Sequence, residues 1–277
     1  MDKSITDVKS GLNFLYNNMS NVEEEVINEN AKKCYIFFSS NGLFLGKTYE
    51  EFQKVMLEEN RYEWKSIVSA MRGRRDIGKV IYVRDVYQMY YMRGISCNCT
   101  SIEAVIELLG EMTTGYEVTT VGISGGGYMA VICGCKLNAK RAFSISGQFD
   151  LAMQLPEETL CIFKKNNEQY VSIIELIDRN RNVPIYYLCP QKCEADYEQL
   201  QLVKEKSSVR CFLFPDRAHA ATVYPFNFPD LLCLSNEKLD KLEKHYHGKN
   251  ILIQEDLKLL VEKLPILFQD TIQRQVS

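Results

Sequence analysis

Short runs of β-branched and aromatic residues alternate along the chain with longer segments of helical period. Cys34-Tyr-Ile-Phe-Phe-Ser39 reads as a strand ended by the turn-prone Ser40-Asn41-Gly42. Residues 48–72, rich in Glu, Lys, Met and Leu at helical spacing, then read as helix. Lys79–Val83, Tyr116–Val121, Arg141–Ile145, Val183–Cys189 and Val209–Phe214 are further strands. Between them, residues 101–112 place Ile102, Val105, Ile106 and Leu109 on one helix face, with Thr100 or Ser101 as its cap. Residues 128–138 and 194–206 read as helices, and Gln254–Gln273 as a last amphipathic one. This alternation predicts an α/β fold with a doubly wound, mostly parallel sheet covered on both faces. No repeat, low-complexity tract or linker-like stretch divides residues 1–277, so a single domain is expected. Residues 147–182 break the rhythm: helical and polar, they form either two connecting helices or a small lid over a site.

Composition narrows the function classes. The 277 residues carry 33 Lys+Arg against 36 Asp+Glu, a net charge of −3, without the basic excess of a dedicated nucleic-acid binder. No apolar run approaches the ~18 residues of a membrane span. The opening MDKSITDVKSGLNFLYNN lacks the apolar stretch of a secretory signal, so a cytoplasmic, soluble protein is expected. The ten cysteines include the pairs Cys97/Cys99, Cys133/Cys135 and Cys189/Cys193, none with zinc-ribbon or C-x-x-C redox spacing. Several lie in apolar runs, where a free thiol acts as a small hydrophobe. Reduced core thiols are expected, a metal site through Cys97 and Cys99 being the minor alternative, so no metal and no organic cofactor is implied.

Candidate chemistry begins at Gly122-Ile123-Ser124-Gly125-Gly126, a G-x-S-x-G between a strand and a helix. A nucleophilic serine on a sharp strand-to-helix turn needs small residues two positions either side, so that the turn can close. The turn lifts the hydroxyl above the sheet and aims the Gly125 N–H at a developing oxyanion. The pentapeptide alone is weak, since about one chain in ten of this length carries one by chance; its strand-turn-helix context strengthens it. A dinucleotide loop is disfavoured because Ser124 stands where G-x-G-x-x-G needs its second glycine.

A serine nucleophile needs a base, and there are three histidines. His245 and His247 sit in the charged Lys241-Leu-Glu-Lys-His-Tyr-His-Gly248 and read as a solvated helix end. His219 follows the last strand by five residues, at the strand end where open α/β sheets gather their sites. The acid that orients it is Asp196 or Glu194, in the segment after the Val183–Cys189 strand. Asp196 is the preferred choice because its shorter side chain has less freedom to lose, while either carboxylate also suits the start of the next helix. Arg84 and Asp85, at the end of the Lys79–Val83 strand, are either a structural ion pair or contacts to a polar substrate such as a sugar.

Strand, G-x-S-x-G, helix, then acid and histidine after later strands together resemble the α/β-hydrolase superfamily over roughly residues 34–270. More narrowly, the stretches Arg84–Gly94, Val121–Ala130 and Gly134–Ala139 are similar to a bacterial subgroup of hydrolase-like proteins. That subgroup is associated with capsule, lipopolysaccharide or surface-glycan assembly and includes relatives of the accessory-secretion acetyltransferase component. Where the subgroup often carries Ser-Pro-Gln, this chain reads Ser144-Ile-Ser-Gly-Gln148. The resemblance implies a serine hydrolase or acyltransferase acting on an ester, such as an O-acyl group of a glycan. It also implies a second oxyanion donor in the loop after the first clear strand, at Asn41 and Gly42, where a simple turn is the alternative. A non-catalytic scaffold or binding protein that keeps the fold is the competing expectation.

Overall fold

The structure, a computed structural model, describes residues 6–46, 48–215, 218–220 and 228–246. Its strands are β1 (Val22–Val26), β2 (Lys33–Phe38), β3 (Ile77–Val83), β4 (Glu117–Ile123), β5 (Arg141–Ile145), β6 (Ile185–Pro190) and β7 (Val209–Phe214). They form one sheet in the order β1-β3-β2-β4-β5-β6-β7. Every neighbouring pair is parallel except β1 with β3. The chain moves outward from β2 to β3 on one side and then returns to place β4 on the other. The crevice between the C-terminal ends of β2 and β4 is therefore the topological switch point, where such sheets bind ligands.

Burial on both faces explains why the parallel strands β2 and β6 read as continuous apolar runs. In β2, Cys34, Ile36 and Phe38 point into one core with the helix Gly125–Lys136, while Tyr35 and Phe37 point into the other with Trp64 and Phe228. The helix Ile102–Met112 forms as its apolar stripe predicts, with Ser101 Oγ accepting the Ala104 N–H as its cap. Cys34, Cys99, Cys133, Cys135 and Cys189 are buried thiols, and burial pushes the Cys34 thiol up to about 12. The expected last helix at 254–273 lies outside the described residues.

Three regions differ from, or refine, the expectation. The first strand of the sheet is β1, Val-Glu-Glu-Glu-Val, whose run of acids carries no apolar alternation. It is an edge strand, and its glutamates pair with Lys65, Lys79 and Arg72 instead of entering the core. The single helix expected over 48–72 is broken: Tyr49–Phe52 passes into a π-helical turn, Gln53–Glu58, and helix resumes at Lys65–Met71. Left-handed backbone at Asn60 and Trp64 makes the break. Trp64 can then donate its indole N–H to the Phe38 carbonyl at 2.9 Å, at the switch point. Residues 147–182 contain the helices Glu157–Asn167 and Ile174–Arg179. Phe163, Tyr170, Ile173 and Ile177 join the same core as the helix after β4, an arrangement that suits connecting helices. No helix among the described residues is long and apolar enough to cross a membrane.

Candidate active site

The turn after β4 is built by steric necessity. Ser124 has φ 53° and ψ −125°, a region that costs a non-glycine residue roughly 1–3 kcal/mol unless its surroundings enforce it. They do: its N–H donates to the Ile145 carbonyl of β5 at 2.8 Å, and its carbonyl accepts the Tyr128 N–H at 3.1 Å. A side chain at Gly122 would strike the Gly126 carbonyl, and one at Gly126 would strike the carbonyls of Phe38, the last residue of β2, and of Ser39 just after it. The small residues required two positions either side of the serine are thus required by backbone–backbone contact.

Three sequence-predicted side chains converge on the end of this turn. His219 Nε2 lies 2.9 Å from Ser124 Oγ, and His219 Nδ1 lies 2.7 Å from Asp196 Oδ1. Both ring nitrogens are thus engaged, and the tautomer with its proton on Nδ1 is the one that would donate to a carboxylate and present the Nε2 lone pair to the serine O–H. Asp196 sits in the first turn of the helix Glu194–Val203 and is 1% exposed, whereas Glu194 faces solvent. The His219 side chain is 42% exposed, open to an arriving molecule. His245 is exposed at the far end of the helix Asn236–Tyr246, and His247 lies outside the described residues.

The loop after β2 faces the same turn. The Asn41 side-chain amide packs against Gly125, where a Cβ would collide with it. Ser40 donates its N–H (2.6 Å) and hydroxyl (3.0 Å) to the Glu63 carboxylate, and Ser40 Oγ accepts the Gly42 N–H at 2.8 Å. The Gly42 N–H is therefore already occupied, which leaves Asn41 as the loop's candidate oxyanion donor opposite Gly125. Glu63 belongs to the break that separates the two helices of 48–72, so that irregular segment braces the loop.

Arg84 and Asp85 lie behind the site, and neither contacts the other's charged end through an ion pair. Arg84, with no exposed surface, donates to Asn21 Oδ1 and the Arg61 carbonyl, and its guanidinium lies 4.4 Å above the Tyr62 ring. Asp85 accepts the N–H groups of Tyr87, Met89 and Tyr91, at 3.0, 2.7 and 2.8 Å. Burial pushes its carboxyl above the ordinary range against the pull of those donors. Tyr91 in turn donates its hydroxyl to the Ser39 carbonyl at 2.9 Å. Both expectations for this pair give way to one reason: burial has committed them to holding the loops that flank β2.

Three contributors escaped the sequence. Glu63 gave no signal because its segment reads as plain helix. Ser146, also in left-handed backbone, accepts the Ala220 N–H at 3.2 Å and so anchors the residue next to His219. Cys193 approaches both Asp196 and His219, to within 4.8 Å between candidate ligand atoms.

Sheet order, elbow and crevice together define the α/β-hydrolase fold, and solved structures share it. The capsule O-acetyltransferase of Neisseria meningitidis serogroup A is similar at a TM-score of 0.51 and 11% identity, over 82% of this chain and 92% of that one. The same enzyme in complex with CoA is similar at 0.51 and 11%, over 82% and 93%. Est1E from Butyrivibrio proteoclasticus is similar at 0.50 and 12%, over 80% and 93%. No protein-family model and no curated protein matches the chain.

Proposed function

We propose that this chain is a serine-dependent esterase or O-acyltransferase that works through an acyl-enzyme on Ser124, with an O-acylated glycan as substrate. The observation that carries the reading is the continuous hydrogen-bonded line from Ser124 Oγ through the His219 ring to Asp196. In the proposed cycle His219 Nε2 takes the serine proton as Oγ attacks the ester carbonyl, then returns it to the departing alcohol. Asp196 holds the imidazole tautomer and stabilises the imidazolium. The N–H groups of Gly125 and Asn41 receive the oxyanion, Gly125 from the first turn of its helix where amides have no helical partner. Water or a sugar hydroxyl then releases the acyl group.

The glycan substrate and the transfer branch rest on the sequence resemblance; the shared fold with an O-acetyltransferase solved with CoA is compatible with both. The test is hydrolysis of p-nitrophenyl acetate together with fluorophosphonate labelling of the pure protein. Ser124→Ala is expected to lower turnover by ~10⁴ or more and to abolish labelling. Turnover and labelling equal to wild type would overturn the assignment, and an unlabelled wild type would favour a scaffold that only keeps the fold.

A further inference from the structure

Cys193 is the residue immediately before the helix that carries Asp196, and its thiol lies against the first-turn amides of Ala195 and Asp196 and against the Asp196 carboxylate. Its Sγ, a carboxylate oxygen of Asp196 and a ring nitrogen of His219 all lie within 4.8 Å of one another. Asp196 is 1% exposed; Oδ1 serves His219, Oδ2 meets no nitrogen or oxygen donor, and the Cys193 thiol is the weak donor beside the carboxylate. A weak S–H donor leaves a buried carboxylate poorly satisfied, and a cation held jointly by the thiolate and the carboxylate satisfies both. The half-exposed His219 leaves a path from solvent to the cluster.

We infer that Cys193, Asp196 and His219 form an inhibitory zinc site, in which a Zn²⁺ ion from solution captures the base of the proposed triad and stops the reaction. The donor set of one thiolate, one imidazole and one carboxylate suits this borderline-soft ion and leaves a fourth position for water. Tetrahedral bonds of about 2.0–2.3 Å separate such ligands by roughly 3.3–3.6 Å, so the cluster closes on the ion through side-chain shifts of about an ångström. The Cys193 thiol loses its proton to solvent, and the two anionic ligands balance the charge of the ion. Capture disables His219 whichever nitrogen binds. Bound at Nδ1, a neutral imidazole keeps its proton on Nε2 and offers no lone pair to the serine; bound at Nε2, the base atom itself is occupied. The inhibition arm rests on the serine-enzyme reading, whereas the binding arm stands without it. Sequence spacing cannot show such a site, because Cys193 and Asp196 flank one helical turn and His219 arrives from a loop after another strand.

The experiment is calorimetric titration of the full chain with zinc chloride, with Co²⁺ absorption as a second probe and p-nitrophenyl acetate hydrolysis in buffered zinc as the third. One ion per chain is expected, with a thiolate-to-cobalt charge-transfer band. Cys193→Ser should remove that band and weaken zinc binding by about tenfold or more, since a hydroxyl is a far poorer ligand. His219→Ala should weaken it as well, whereas Ser124→Ala, which keeps all three ligands, should bind as wild type does. The ratio of rates with and without zinc should rise toward one in Cys193→Ser, and a chelator should restore the wild-type rate. Equal binding by wild type and Cys193→Ser, or cobalt binding without the thiolate band, would overturn the site. If the wild type hydrolyses no ester, calorimetry and cobalt absorption still decide it, and only the catalytic reading falls.

Discussion

Replacing Asp196 by Asn removes one charge from the proposed triad while keeping its volume, and the structure sets the size of the effect. The acid meets His219 at 2.7 Å and is buried, so in the proposed cycle its charge would act on the imidazolium formed as the serine proton moves. Charge centres about 4 Å apart interact by about 4 kcal/mol at an effective dielectric near 20, equivalent to roughly 10³ in rate. Solvent at the 42% exposed His219 side chain screens part of that interaction, which brings the expected fall in kcat to roughly 10²–10³. The fold should tolerate the change. Oδ2 meets no nitrogen or oxygen donor, so an amide there loses at most a weak contact with the Cys193 thiol and relieves a buried charge. Circular dichroism and the thermal midpoint should stay within a few degrees of wild type while stopped assays on p-nitrophenyl acetate show the loss. Glu194→Gln, in solvent on the same turn, should cost under about tenfold. A fully active Asp196→Asn would refute the electrostatic role, and the reverse pattern would transfer it to Glu194.

His219→Ala should match Ser124→Ala in severity because members of a triad act as a unit, whereas His245→Ala should keep near-wild-type turnover; a collapse of the latter with folding intact would move the base. Gly126→Ala should destabilise the chain by about 2–3 kcal/mol in urea denaturation, since its methyl group meets two backbone carbonyls of the β2 end that cannot rotate away, and an unchanged midpoint would contradict the packing described for the turn.

How much of this was legible in advance follows from the range of the interactions involved. β2 and β6 were readable because burial on both faces forces continuous apolar runs, and β4 because its valines and threonines favour the pleated backbone, properties each strand carries by itself. The strand-turn-helix around Ser124 was readable because its requirement is local: small residues where the backbone of Gly122 meets that of Gly126. β1 escaped because an edge strand answers to the cations of its neighbours, Lys65, Lys79 and Arg72, which lie far away in sequence. The break within 48–72 escaped because its residues have ordinary helix propensity, and the reasons for breaking it, the Phe38 carbonyl and Ser40, belong to another element.

The site divides along the same line. Residue types and strand-end positions picked out Ser124, His219 and the pair Glu194/Asp196 from the sequence alone, because an α/β sheet delivers its loops to one edge. Which carboxylate meets the ring is a matter of helical phase: Asp196 turns inward in the first turn and Glu194 outward, and only the docking of that helix on β6 sets the phase. Arg84 and Asp85 show the converse. Their place at a strand end marked them for the site's edge, but charge and sequence position carry no information on depth. Tertiary packing buried both and turned their hydrogen bonds toward Asn21, Arg61 and the 87–91 loop, because a buried charge must be satisfied by whatever polar groups the fold brings within reach.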